Sequence, residues 1–181
     1  MKSVKHILSK GQSINEQFKV TFFLKKGSYA ETYRVKDQEG KTKLLKLFAF
    51  SKLDRTQFNE NGAVLEIEVL KKIKHPNLVK YSDSGELLLD GQKYAYAIFD
   101  FISGETLADK LKREQTINPY EAKDIISGVL NGLNYLHALD NPIIHNDITN
   151  LNVMLDLSGK VAIPRIIDFG YARFLSQSNK D

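Results

Sequence analysis

Three oxygen-bearing side chains stand at the edges of apolar runs late in the chain. In Ile143-Ile144-His145-Asn146-Asp147-Ile148-Thr149-Asn150-Leu151-Asn152-Val153-Met154-Leu155, a polar loop carries Asp147 and Asn152 between two hydrophobic stretches. In Ile166-Ile167-Asp168-Phe169-Gly170, another apolar run delivers an acid, and a glycine breaks the chain after it. Backbone anchored on both sides of a loop holds the side chains at its edges still. Two carboxylates and an amide carbonyl are hard oxygen donors of the kind Mg2+ prefers, and phosphate oxygens complete that ion's shell. The set points to a magnesium–nucleotide site. Taken alone, Asp147 also reads as a loop-capping aspartate.

A site for phosphates needs cations and open backbone as well. Leu44-Leu45-Lys46-Leu47-Phe48 places one ammonium inside an apolar run, and strand alternation puts it on the face shared by Leu44 and Phe48. A lysine there is costly unless it meets an anion; the alternative is an edge-strand lysine snorkelling to water. The pattern over 57–74 is helical, with Glu66 on the stripe of Val69, Leu70 and Ile73. Glu68 lines up instead with Lys71, Lys72 and His75 on a polar face. Glu66 is therefore the inward acid, with Glu60 a rival near the helix start. Gly27, in Lys25-Lys26-Gly27-Ser28-Tyr29-Ala30, would let backbone N–H groups approach phosphate oxygens with no Cβ in the way. An ordinary hairpin turn explains that glycine equally well.

The elements that must hold these residues follow from periodicity. Strands are predicted over 18–24, 31–37 and 41–50, then over 78–89 and 92–99 around the hairpin signal Asp90-Gly91. His75-Pro76-Asn77 ends the helix between them, because the residue before proline disfavours helical geometry; His75 is expected as a structural cap. After a connector at 100–104 comes a short helix over 105–113. A longer helix starts with Asn118 as cap, Pro119 in the first turn and Glu121 completing a capping-box-like start. Ala122, Ile125, Ile126, Val129, Leu130, Leu133 and Leu136 give it a continuous apolar stripe. Short strands are expected over 153–155 and 161–167 around Ser158-Gly159. Residues 1–17 are polar and read as a lead-in.

The 181 residues suit one domain or two small lobes, with 42% hydrophobic and 27% charged content. Absence of cysteine excludes disulfides, thiolate catalysis and Cys-based zinc sites. The four histidines are scattered without metal-ligand pairing. A net charge of +4 is spread along the chain, which implies a solvated surface rather than a nucleic-acid face. The start lacks a signal-peptide core, and no run reaches transmembrane length, so a cytoplasmic protein with no membrane partner is expected.

Taken together, the motifs resemble the protein kinase family, whose catalytic loop reads H-R-D-x-x-x-x-N and whose metal loop reads D-F-G. The resemblance runs from about residue 18 to 174. It implies an α+β, protein-kinase-like two-lobed fold. An antiparallel five-stranded first lobe with one helix would occupy 18–99, a hinge 100–104, and a C-terminally truncated helical lobe 105–181. It further implies ATP and Mg2+ as cofactors and a protein substrate, with serine or threonine preferred over tyrosine. Asp147 would accept or orient the substrate hydroxyl proton, Asn152 and Asp168 would hold magnesium, and Lys46, fixed by Glu66, would hold phosphates. Nucleotide contacts would come from Leu24, Gly27, Ala30, Thr32, Leu44, Lys46, Asp100, Ile102 and Met154, with Phe99 as gatekeeper.

Departures from the pattern are specific. Lys25 and Ala30 stand where the family has the first and third glycines, Thr32 where it has valine, and Leu44 where it has the small alanine. Asn146 replaces the arginine of H-R-D, and Thr149 a lysine common in serine/threonine kinases. The chain stops soon after the metal loop, so a fragment of a longer kinase is expected, marginally folded or self-associating alone. Two other readings stay open: a pseudokinase-like module that binds nucleotide without turnover, and a small-molecule kinase of the choline or aminoglycoside type. Phe169-Gly170, His75-Pro76-Asn77 and the short hinge with Gly104 favour the protein kinases.

Overall fold

Alternation of apolar and polar residues builds the first sheet much as the sequence predicts. The computed structural model describes residues 6–178, and the chain divides into two units, Met1–Val64 with Tyr81–Phe101 and Leu65–Lys80 with Ile102–Asp181. In the first unit, β1 (Ser13–Ile14), β2 (Phe18–Lys26), β3 (Ala30–Lys36), β4 (Thr42–Ala49), β5 (Tyr81–Leu89) and β6 (Gln92–Asp100) form one sheet. Its order is β1-β2-β3-β4-β6-β5, antiparallel throughout. Five long strands are the expected ones, and β1 adds a two-residue edge. Asp90 and Gly91 both take left-handed φ, 50° and 75°, the conformation a two-residue hairpin turn of the twist-matching type requires.

One face of this sheet carries the core. Tyr33, Val35, Leu45, Leu47, Tyr96 and Ile98 pack there together with Leu8 and Ile14. The segment expected as a polar lead-in thus buries two of its side chains. Two apolar residues six positions apart show no periodicity, which is why the sequence pattern was silent about them.

The helix expected over 57–74 is much shorter: α1 spans only Leu65–Leu70. A 3-10 turn at Arg55–Gln57 precedes it. The Asn59 side chain then accepts hydrogen bonds from the Asn61 and Ala63 N–H groups, both at 2.9 Å, and Gly62 sits at φ 76°. Asparagine and glycine offer the backbone a turn that competes with helix. Glu60 lies exposed in that turn, off the helix, which removes it as a rival to Glu66. Past Leu70, the Lys72 and Ile73 N–H groups bond three residues back, to Val69 and Leu70, closing the helix early. Residues 78–80, expected in β5, belong to the second unit, where Leu78 bridges Ile166.

The second unit continues with β7 (Gly104–Thr106), α2 (Leu107–Glu114), α3 (Pro119–His137), β8 (Ile143–Ile144), β9 (Val153–Asp156), β10 (Ile163–Ile166), β11 (Arg173–Phe174) and α4 (Leu175–Ser178). Residues 105 and 106, expected to open a helix, instead join Gly104 in a strand on β9, and Thr106 caps α2 by accepting from the Asp109 N–H at 3.0 Å. Asn118 caps α3 through the Tyr120 N–H at 2.9 Å, while the Glu121 carboxylate meets Lys110 at 3.0 Å. Among the described residues no helix is long and apolar enough to cross a membrane.

The buried face of α3 differs from the expected stripe. Ile125, Gly128, Gly132 and Leu136 point inward, whereas Ile126 and Leu130 are 59% and 58% exposed. The glycines are there for clearance: a Cβ on Gly128 would fall 2.3 Å from Pro164 Cγ, and one on Gly132 would fall 3.1 Å from Leu78 Cδ2. Strand β10 and the 77–78 segment therefore lie against the helix at closer range than side chains allow. Gly128→Ala gains about 1 kcal/mol of helix propensity and meets an overpacking cost of roughly 1–3 kcal/mol. The clash should win, with a net loss in denaturant unfolding. Ile126→Ala, on the exposed side, should stay within about 0.5 kcal/mol of the parent.

Candidate functional site

In the second unit, hydrogen bonds join two of the three oxygen-bearing side chains singled out above, Asp147 and Asn152. The 145–152 loop runs between β8 and β9, and Asp168 lies two residues past the end of β10. The Asn152 side-chain amide donates to the Asp147 carboxylate at 2.7 Å and to the Asp147 carbonyl at 3.0 Å. Its backbone carbonyl accepts from the Ile167 N–H at 2.9 Å, extending the β9–β10 ladder in which Val153 faces Ile166. Asp147 and Asn152 are thus in contact, and Asp168 lies one residue beyond Asn152's backbone partner. With its side-chain N–H end committed to Asp147, Asn152 has its side-chain oxygen Oδ1 as the ligand a hard cation would use.

Two residues here take left-handed backbone, Asn146 at φ 63° and Asp168 at φ 62°. Asparagine and aspartate tolerate that region better than other side-chain-bearing residues. The Asn146 amide donates to the Tyr171 carbonyl at 3.1 Å, tying the catalytic-type loop to the segment after the metal-type loop. His145 is 1% exposed; its Nδ1 accepts from the Asp147 N–H at 3.3 Å, and its ring meets the buried Phe169 edge-on at 4.8 Å. His75, expected as a cap, accepts from the Asn77 N–H at 3.2 Å and stacks on Tyr135.

Glu66 lies in α1, 7% exposed, on the inward stripe with Val69, Leu70 and Ile73. Glu68 pairs with Lys71 at 2.8 Å on the polar side. A Cβ on Gly170 would lie 3.5 Å from Glu66 Oε2 and 3.4 Å from Asp168 Oδ1, so both carboxylates flank that glycine. Met154 is half-buried in β9 with Arg165 and Thr106 as register partners, and Ile102 is half-buried just before β7.

The remaining residues belong to the first unit. On β4, Lys46 stands between Thr32 of β3 and Ala97 of β6, with Nζ 5.4 Å from the Phe48 ring centre. Leu45 and Leu47 go into the core cluster on the opposite face, so the predicted alternation is present. Leu44 is in register with Phe99. Ala97, fully buried beside Lys46, was not singled out from sequence; its register two residues before Phe99 was the available signal. Asp100 engages its carboxylate with Lys43 Nζ at 2.6 Å and the Ser82 hydroxyl at 2.9 Å. Leu24 is exposed and Ala30 half-buried at the two ends of the Gly27 turn. The turn closes through the Gly27 N–H to the Ala30 carbonyl at 2.8 Å. Gly27 is not left-handed, and an added Cβ would meet only the Ala30 oxygen, at 3.5 Å. Nothing in the fold demands glycine at that position.

A polar loop reading His-x-Asp-x-x-x-x-Asn, stitched to an Asp-Phe-Gly strand end, defines a phosphotransferase-type constellation on an α+β chain. The protein kinase domain family matches residues 18–181, and the chain belongs to that family. It is 32% identical over 151 residues to CTD kinase subunit alpha of Saccharomyces cerevisiae, covering 81% of this chain and 26% of that protein. It is 30% identical over 168 residues to calcium-dependent protein kinase 4 of Plasmodium berghei, covering 92% of this chain and 30% of that protein. A Dictyostelium discoideum protein named "Probable serine/threonine-protein kinase fhkD" is 25% identical over 169 residues, covering 92% and 22%. The chain spans less than a third of the length of these relatives.

Burial pushes the His145 imidazole below its ordinary 6.5, and the Ile167 backbone and the Asp147 and Asp168 charges oppose this without reversing it. Between the depressed folded value and 6.5 the unfolded chain binds more protons, so stability is full above about 6.5 and falls as pH drops below it. A ring-proton NMR titration should place His145 below 6.5. The melting midpoint should decline over the same interval, and His145→Phe should flatten that part of the slope.

Proposed function

We propose that the chain binds MgATP and transfers a phosphoryl group to a protein hydroxyl, serine or threonine in preference to tyrosine. The observation that carries this reading is the Asn152 amide bonded to Asp147 while the Asn152 carbonyl holds Ile167, the residue before Asp168. On this reading Asp168 and the side-chain oxygen of Asn152 would supply magnesium ligands, and Asp147 would orient an incoming hydroxyl. Bound magnesium would neutralise charge on the phosphates. Lys46, whose ammonium lies 5.4 Å from the Phe48 ring centre on β4, would supply a cation for phosphates. Phosphoryl transfer asks mainly for positioning and charge stabilisation, which rigid strand ends provide. The acceptor preference draws on the name of the Dictyostelium relative, not on a residue of this chain, and Thr149 leaves it open to test.

Gly27 supports the nucleotide reading independently. Neither backbone conformation nor crowding requires it, and the lack of a Cβ there would let an anion approach the other N–H groups of the turn. Gly27→Ala should therefore leave the melting midpoint unchanged while weakening MgATP binding several-fold. Lys46→Met and Asp168→Ala should each cause a large loss of magnesium-dependent nucleotide affinity in titration calorimetry. Unchanged affinity in both would sink the assignment. Asp147→Asn separates the catalytic reading from a binding-only module. Binding should persist while turnover on a serine- or threonine-bearing peptide falls by about 10²–10⁴-fold; a wild type that binds but never turns over would favour the pseudokinase-like reading.

A further inference from the structure

A carboxylate is buried at the root of the Gly27 turn, where a surface hairpin needs none. Glu31 is 1% exposed and faces Lys26 as the last β2–β3 pair before the turn. Its Oε2 accepts from the Ile7 N–H at 3.0 Å and from the Tyr33 hydroxyl, and its Oε1 lies 3.4 Å from Lys26 Nζ. The Tyr33 hydroxyl in turn accepts from the Leu8 N–H at 3.0 Å. Two successive peptide N–H groups of the N-terminal segment are thereby spent on one Glu–Tyr pair. The same segment stacks His6 on Phe23 at 3.6 Å, and Phe23 meets Tyr33 edge-on at 5.5 Å.

These side chains act from behind the site. Glu31 and Tyr33 are in register with Leu47 and Leu45, the face opposite Thr32 and Lys46. They cannot touch a nucleotide lying on the Lys46 face, but they hold the backbone that would. Burial pushes the Glu31 carboxyl up, yet the Ile7 N–H, the Tyr33 hydroxyl and Lys26 together keep it below the ordinary carboxylate value, so it stays charged. A charge kept buried with partners on both sides of a hairpin is a rigid joint, because losing any partner strands the rest.

We propose that residues 6–8, through Glu31 and Tyr33, clamp the 26–30 turn in the position from which it binds nucleotide phosphates, making Glu31 and Tyr33 positioning residues. This rests on the reading of the Gly27 turn as a phosphate cradle. The clamp acts on the turn alone, so it should matter for phosphates and not for the base and sugar.

The test uses the full chain, with Glu31→Gln and Tyr33→Phe compared to wild type by calorimetric titration with MgATP and, separately, with adenosine. Each variant should weaken MgATP by about five- to tenfold while adenosine affinity stays the same. Amide exchange over 26–31 should rise in both variants without any nucleotide present. Equal losses for the two ligands, or no loss for either, overturn the clamp. Tyr33→Phe keeps the ring and serves if Glu31→Gln fails to fold; loss of a cooperative melt in Tyr33→Phe would make the pair purely structural and also overturn it. A wild type that ignores MgATP overturns the nucleotide reading and the clamp together, whereas intact wild-type binding without a phosphate-selective loss overturns the clamp alone.

Discussion

Asn152 is the residue on which the polar half of the second unit hangs. Its N–H donates to Thr149, its carbonyl accepts from Ile167, and its side-chain amide reaches both the carbonyl and the carboxylate of Asp147. An aliphatic or carboxylate side chain could not make this set, because it needs an N–H donor on one short arm. Aspartate would set a second carboxylate against Asp147, and alanine would leave the Asp147 carboxylate without its amide donor. The Asp147 carboxylate keeps its place through that amide, and the same residue's backbone continues the β9–β10 ladder toward Asp168.

The two units solve the same problem differently. Around His145 the second unit buries a neutral ring and lets burial depress its proton affinity. Around Glu31 the first unit buries a charge and surrounds it with donors. In both cases the buried polar group lies immediately behind a loop implicated in binding, and it accepts at least one hydrogen bond from backbone. Such groups specify loop position more than they add stability.

Much of this was legible in the sequence where one residue type has one physical use. Lysine inside Leu44-Leu45-Lys46-Leu47-Phe48, the Asp90-Gly91 turn and the Asn118-Pro119 start left few alternatives, and the five long strands and α3 follow. Glu66 was separable from Glu68 because a helical stripe distinguishes residues two apart. The length of its helix was not, because apolar periodicity continued through Asn59 and Gly62, whose turn chemistry outcompeted it. The inward face of α3 was misread for a related reason: counting apolar residues favoured Ile126 and Leu130, whereas close approach of β10 selected glycine. The Ile7–Glu31–Tyr33 contacts join residues far apart in sequence through backbone N–H groups, which carry no sequence signature.

The glycines of α3 also bear on how the chain reaches its structure. Two glycines within one helix each cost about 1 kcal/mol relative to alanine, so α3 is a weak helix until something packs on it. What packs on Gly128 and Gly132 is Asn77, Leu78, Pro164 and Ile166, which come from well before and well after the helix in the chain. Its stability is therefore contingent on non-local closure, and loop entropy must be overcome before those contacts form. The longest helix among the described residues thus depends for its stability on β10 and the 77–78 segment.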